Sequence, residues 1–238
     1  MKIQWWCETR VDSVDEDLLM AMKAAGCKTI GYGIESPHPR TLKKINKIYD
    51  IGTIDRALYW TRHAGIDTDI FLIIGFPWKD KNDYAVLRDF IGKRRHLISR
   101  FLPRLILIPL PNTQLYEQYR HENGFSDWWL KDKYSILFRD YTPYFEEHFY
   151  DDHFIEADFF NYSKEIRREI DKTVDLIGKV NLKNRSGPIK YVILSILILI
   201  SRWLYSINPA FERIAFDKVR VVTSVLKGKK SRRYLEKV

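Results

Sequence analysis

Residues 63–77 read HAGIDTDIFLIIGFP, and this stretch decides the fold class. Gly65 stops a preceding helix, Thr68 to Ile74 is nearly continuous in apolar character, and Gly75-Phe76-Pro77 turns the chain. An apolar run without alternation, bounded by glycines, is the pattern of a strand covered by crossover helices in a parallel sheet. Outward from it the same unit repeats. Upstream, a helix is expected over about Thr53 to Ala64, a shorter one near Thr41 to Ile45, and a strand over Thr29 to Ile34. Before those, Ile3 to Cys7 reads as a strand, and Asp12 or Ser13 offers an N-cap for a helix whose apolar stripe is Leu18, Leu19, Met22 and Ala25. Downstream, Asp80 with Asp83 resembles a capping box for a helix running to about Ile98, and Leu105 to Ile108 is the fourth strand. Pro109-Leu110-Pro111-Asn112-Thr113 follows it, with a helix through about His121. Four βα units over about 125 residues predict an α/β chain.

The chain has 238 residues, 45% of them hydrophobic, which excludes disordered and low-complexity classes. Two cysteines, Cys7 and Cys27, supply neither a disulfide framework nor a multi-cysteine metal site. With no secretory signal read at Met1, a reducing, cytoplasmic setting is expected. The net charge of +9 suggests nucleic acid until its distribution is read. Residues 181–238 hold 13 Lys and Arg against 3 Asp and Glu, a balance of +10, which leaves 27 against 28 for residues 1–180. The basic excess is therefore confined to the tail.

In parallel α/β folds the working residues gather at the carboxyl ends of the strands. The first exit offers Glu8 and Arg10, the second Glu35 and Ser36, the third Gly75 and Pro77, and the fourth Pro109 and Pro111. Two carboxylates, a guanidinium and glycine or proline turns suit a polar, zwitterionic or sugar-bearing ligand.

Four segments, taken in order, resemble the radical SAM superfamily, in particular its cobalamin-associated branch of the anaerobic magnesium-protoporphyrin cyclase type. They are WWCETRVDSVDEDLLMAMKAAGCKTIGYGIES, LKKINK, HAGIDTDIFLIIGFP and LILIPLPNTQLY. The resemblance implies a partial (β/α) radical SAM-type barrel, its last four βα units, followed by an α-helical C-terminal extension. It implies an S-adenosylmethionine pocket with Glu35 and Ser36 near the ribose and methionyl part, Glu8 and Arg10 lining it, and Gly75 with Pro77 on the adenine side. It also implies an organic small-molecule substrate, a 4Fe-4S cluster, and cobalamin as an optional cofactor. Pro109, Pro111, Phe149 and Tyr150 are expected on the substrate side.

The sequence departs from the family in three places. The family's Cys-x3-Cys-x2-Cys loop, whose thiolates hold the cluster, does not occur in these residues, and Cys7 and Cys27 are too far apart to replace it. Trp78-Lys79-Asp80 stands where the family usually reads Gly-Glu-Thr, and Asn112 replaces a usual Gly. The expectation drawn from the first departure is a C-terminal portion of such an enzyme, with an N-terminal half supplied upstream and no activity as an isolated chain. A non-catalytic partner subunit and an RNA-modifying radical SAM protein are the alternatives.

Three regions are expected: residues 1–125 as barrel, 126–180 as an aromatic and acidic cap with a helix from about Glu156 to Val180, and 181–238 as an amphipathic helix and basic tail. Glu146-Glu147-His148 and Asp151-Asp152-His153 repeat at a five-residue spacing, which does not suit ligands on one helix face, so no metal site is assigned. Ile189, Ile193, Ile196, Ile200, Trp203 and Ile207 recur at helical spacing. A charge-free run from only Tyr191 to Ser201, and Arg202 beyond it, speak against a transmembrane span. The two readings of this helix are packing on the barrel or a partner, and an in-plane anchor at the inner face of an anionic membrane.

Overall fold

The computed structural model describes residues 3–102, 106–131 and 157–226. Three of the four expected runs lie in β1 (Trp5–Thr9), β2 (Cys27–Glu35) and β3 (Asp67–Leu72), and β4 is Arg100–Leu102, ahead of the expected fourth run; together they form a parallel sheet in the order β1-β2-β3-β4. Chain neighbours are sheet neighbours, so each link must cross over the sheet through a helix. Those helices are α1 (Glu16–Ala24), then α2 (Pro39–Lys44) with α3 (Ile51–His63), then α4 (Lys81–Arg94). After β4 come α5 (Gln114–Tyr119) and α6 (Lys164–Arg185). The fold is α/β, and the four-stranded parallel sheet with its helices is consistent with a partial barrel.

Strand alternation divides the sheet cleanly. Ile30, Tyr32 and Ile34 of β2, Ile70 and Leu72 of β3, and Phe101 of β4 enter a core with Leu19, Leu58, Leu87 and Ile170 from the helices. The opposite face carries Glu8, Gly31, Asp69, Phe71 and Arg100, which line an open cleft. Gly31 is required there, because a Cβ would stand 2.6 Å from Phe71 Cε2.

Local signals explain most boundaries. Asp80 accepts from the Asp83 backbone and Asp83 from that of Asp80, closing the expected capping box at the start of α4. The cap of α1 is a correction: Asp15 accepts from Leu18 N at 2.8 Å, while Asp12 is held by Arg10. The fourth strand begins at Arg100, not Leu105, because α4 ends at Arg94 and the strand opens on an arginine that forks onto Asp69. Beyond it, a parallel bridge pairs Ile74 with Ile106, and Leu107 N donates to Ile74 O at 2.7 Å.

α6 is a polar helix with a buried stripe, Ile170, Thr173, Ile177 and Val180. Arg88 of α4 donates to Glu169 at 2.6 Å, and Asn181 makes two bonds to Phe101, accepting from its N–H at 2.8 Å and donating to its carbonyl at 2.7 Å. Asn181 thus supplies hydrogen bonds to the backbone of β4, the last strand in the sheet order. Asn181→Ala should leave that buried backbone pair unsatisfied and cost about 2 kcal/mol. Hydrogen exchange at the Phe101 amide checks it: exchange should accelerate there ahead of β2 amides.

The chain divides into two compact units, residues 1–139 with 154–187, and residues 140–153 with 188–238. The second contains α7 (Pro188–Ile207) and α8 (Pro209–Leu226). Phe149, Tyr150, His148 and His153 lie outside the described residues.

Candidate functional site

The carboxyl end of β2 is irregular for a reason visible in its register. Gly33 pairs with Phe71 and Glu35 with Leu72, so Ile34 is an extra residue in β2. Glu35 takes a left-handed conformation, φ 62°, and its carbonyl accepts from Ile73 N at 3.0 Å. Such a conformation is uncommon outside glycine and asparagine, and marks positions held by their surroundings. Its carboxylate folds back over Gly33, where a Cβ would lie 2.9 Å from Oε1.

Lys47 and Tyr49, both absent from the sequence-based site, join this corner. Asn46, at φ 56°, reverses the chain after α2 and brings Lys47 back, so that Lys47 Nζ donates to Gly33 O at 2.9 Å and lies 3.8 Å from Glu35 Oε1. Tyr49 is buried and donates to the same carbonyl at 3.0 Å. Burial raises the Glu35 carboxyl above its usual range, opposed by the Lys47 ammonium. Burial and the Glu35 charge push the Tyr49 phenol up to about 12. Lys47 belongs to the LKKINK segment that carries the resemblance, yet nothing local announces its contact with a strand fourteen positions earlier.

Arg10 joins from the exit of β1. Its guanidinium forks onto Asp12, at 2.8 and 2.6 Å, and lies 5.7 Å from the centre of the Tyr49 ring. The pair holds the Asp12 carboxyl below its usual range. Glu8 pairs with Gly31 in register and faces the open cleft with Phe71 and Arg100. Glu35, Lys47, Tyr49, Arg10 and Asp12 therefore form one charged corner, with Glu8 one step down the same face. Ser36 is fully buried, its hydroxyl accepting from His38 N at 3.2 Å.

The third and fourth exits are arranged differently. Gly75 has φ 89°, and the place of a Cβ is taken by Tyr162, whose hydroxyl donates to Gly75 O, and by Ile106. Pro77 follows in a turn clamped to α2: Trp78 stacks on Phe76 at 4.9 Å, its ring N–H donates to Thr41 Oγ1 at 3.2 Å, and Arg40 donates to Trp78 O at 2.8 Å. Lys79, 5% exposed, is buried in this turn with no hydrogen-bond acceptor for its ammonium among the described residues. Its ammonium lies 5.2 and 5.8 Å from the ring centres of Phe76 and Tyr84. Burial lowers Lys79 to about 8, with Asp83 opposing. Asp83, 2% exposed, accepts from Arg40 and from Asp80 N at 2.8 Å, and His38 Nε2 approaches it to 3.1 Å without the alignment of a hydrogen bond. Pro109 is buried, its carbonyl accepting from Trp128 Nε1 at 2.9 Å, and Pro111 is exposed before Asn112, which takes φ 63°.

Two clefts open elsewhere in this unit. One, about 580 Å³, lies on the open sheet face over Trp6, Glu8, Gly31, Phe71 and Arg100. The other, about 550 Å³, lies at the amino ends of the strands among Arg62, Asp67, Arg95 and Asn184. Neither contains Glu35 or Arg10, and the first reaches the charged corner only through Glu8.

The donor set does not suit a 4Fe-4S cluster. The sequence has two cysteines, both with thiols raised by burial, and the described residues contain no group of three or more metal-ligating side chains. The charged corner offers a half-buried carboxylate with acceptor capacity beside a cation.

The sequence profile of the radical SAM superfamily matches residues 3–91, and the resemblance read from the sequence holds over those residues. An uncharacterized methyltransferase of Pyrococcus horikoshii is 33% identical over 118 residues, which are 49% of this chain and 25% of that protein. A Methanocaldococcus jannaschii protein provisionally named a methylthiotransferase is 31% identical over 108 residues, 45% of this chain and 23% of its own length. The alignments thus span about a quarter of the curated relatives they match. Among solved structures, the cobalamin- and [4Fe-4S]-bound radical S-adenosylmethionine methyltransferase TsrM from Kitasatospora setae is similar at 18% identity, TM-score 0.43, covering 51% of this chain and 24% of that one. The cobalamin-dependent S-adenosylmethionine radical enzyme OxsB is similar at 17% identity, TM-score 0.40, covering 94% and 38%.

Proposed function

We propose that the ends of β1 and β2 form one wall of an S-adenosylmethionine pocket in a radical SAM-type active site acting on an organic substrate. The observation that carries this reading is Glu35, a half-buried carboxylate in a left-handed strand end, with Lys47 at 3.8 Å and a glycine beneath it. In this superfamily S-adenosylmethionine with a 4Fe-4S cluster would supply radical chemistry, and no residue of this sequence is assigned to hold the cluster.

The chain's own side chains act by binding and orientation. The Glu35 carboxylate accepts from the donors of the ligand, its ribose hydroxyls or α-ammonium, and Lys47 opposes the rise that burial imposes on it. Tyr49 packs the corner and fixes the Gly33 carbonyl on which Lys47 also rests. Arg10, fixed by Asp12, and Glu8 line the side toward β1, and Ser36 holds the loop after Glu35 through His38 N. Gly75 and Pro77 take the neighbouring strand end on the adenine side, and the Pro109–Pro111 turn faces substrate. Methyl or methylthio transfer is the activity class suggested by the names of the two curated relatives, and cobalamin is a cofactor that such transfer admits. Neither alternative, a non-catalytic binding subunit or an RNA-modifying enzyme, gains support.

Saturation-transfer NMR with S-adenosylhomocysteine tests the pocket without requiring a cluster. Transfer to the ribose and methylene protons is expected, at least tenfold weaker in Glu35→Ala and unchanged in Glu16→Ala. The wild-type signal should fall as acid protonates Glu35, with a midpoint above the ordinary carboxylate value. Equal transfer in wild type and Glu35→Ala would remove Glu35 from the pocket.

A further inference from the structure

The sequence alone leaves two partners open for the helix after residue 187, and its geometry favours one of them. α7 is twenty residues long, about 30 Å at 1.5 Å per residue, and is the one helix among the described residues long and apolar enough to cross a membrane. Much of its apolar surface is exposed. Ile189, Ile193, Ile196, Ile200, Trp203 and Ile207 are between 43% and 77% exposed, and Phe211 and Ile214 of α8 extend the same kind of surface at 55% and 56%. Soluble surfaces seldom carry so many adjacent aliphatic residues without a partner for them.

How α8 returns decides between crossing the bilayer and lying in it. Asn208 is the single residue between the helices, its side chain accepting from Ala210 N at 2.8 Å. α8 folds back along α7, since Ser201 donates to Glu212 at 2.6 Å with both side chains fully buried. A span by α7 would therefore draw α8 into the hydrocarbon with Glu212, Arg213, Asp217, Lys218 and Arg220. Each such charge costs about 2.5–3.5 kcal/mol at a helix centre in the bilayer. Lying flat avoids this, placing apolar side chains about 5–10 Å into the headgroup boundary while charged groups stay in water.

The charge identifies the surface. Residues 181–238 carry 13 Lys and Arg against 3 Asp and Glu, a balance of +10 in a chain whose remainder is −1. A juxtaposed basic segment favours anionic headgroups by about 1 kcal/mol per residue close to the surface. An apolar protein partner would match the stripe but gain nothing from this excess. We infer that the α7–α8 hairpin is an in-plane membrane anchor, binding the surface of an anionic bilayer through the exposed aliphatic stripe of α7. This does not depend on the S-adenosylmethionine pocket.

Flotation of the full chain on vesicles tests it. Vesicles of phosphatidylcholine with 30% phosphatidylglycerol should carry at least ten times more protein than phosphatidylcholine alone, and Ile193→Asp with Ile200→Asp should abolish the difference with circular dichroism unchanged. Alkaline carbonate should release the bound protein, as it does for an in-plane anchor. Retention through carbonate would establish a span and overturn the in-plane assignment. Failure to float on anionic vesicles, or flotation unaffected by the double substitution, would overturn membrane binding. A dimer in light scattering that the substitution dissolves, without vesicle binding, would assign the stripe to a second copy.

Discussion

Asp83→Ala is expected to lower unfolding stability by about 3–5 kcal/mol, the range for removing one partner of a buried charge pair. The carboxylate is 2% exposed and answers three demands: the Arg40 guanidinium from α2, the Asp80 backbone N–H at 2.8 Å, and the positive charge of Lys79. Its loss opens the capping box of α4, removes the acceptor of the Asp80 N–H, and strands an ammonium in an apolar turn. Arg40 is 46% exposed and can return to water, so most of the cost comes from the turn and not from that arginine. Urea titration of both proteins measures it. A loss under about 1 kcal/mol would mean that this cluster does not hold the exit of β3.

Lys79→Met is expected to stabilise the protein by about 3 kcal/mol at pH 7, since each tenfold change in proton affinity is worth about 1.4 kcal/mol and the group falls from 10.5 to about 8. The pH dependence has a defined sign. Between pH 8 and 10.5 the unfolded chain binds the proton that the folded chain has given up, so wild-type stability rises with pH through that window. The penalty is fully present below the folded value and fades toward the unfolded one. The advantage of methionine should therefore shrink to about 1.5 kcal/mol at about pH 9.5. Paired thermal melts at the two pH values decide it; an advantage independent of pH, or destabilisation at pH 7, would contradict the buried ammonium. In the Lys79→Met background Asp83→Ala should cost less than alone, because the stranded charge is gone.

Local patterns in the sequence encode much of this fold. Three strands with their exits, the glycine stops at Gly26 and Gly65, and the Asp80–Asp83 capping box all follow from apolar runs, turn chemistry and spacing. β4, Arg100–Leu102, lies wholly ahead of the apolar run at Leu105, and three residues opening on an arginine paired to Asp69 are too short a run to read as a strand. Lys47, Tyr49 and Asn181 escape a sequence reading for one physical reason: each satisfies a strand backbone distant in sequence, and a hydrogen bond across 14, 16 or 80 positions leaves no local mark. The departure at Trp78-Lys79-Asp80 is visible as a swap of acid for base, but its burial is not legible, since a lysine in a turn ordinarily faces water.

The pocket assignment competes with two clefts that the fold also presents, so a map of where ligand lands is the most direct test of its central claim. In an amide chemical-shift titration with S-adenosylhomocysteine, the largest changes are predicted at Glu8 to Arg10, Gly33 to Ser36 and Lys47, with smaller ones at Gly75. Changes centred on Asp67, Arg95 and Asn184, or on Trp6 and Arg100 without Glu35, would place the ligand in one of those clefts and contradict the account.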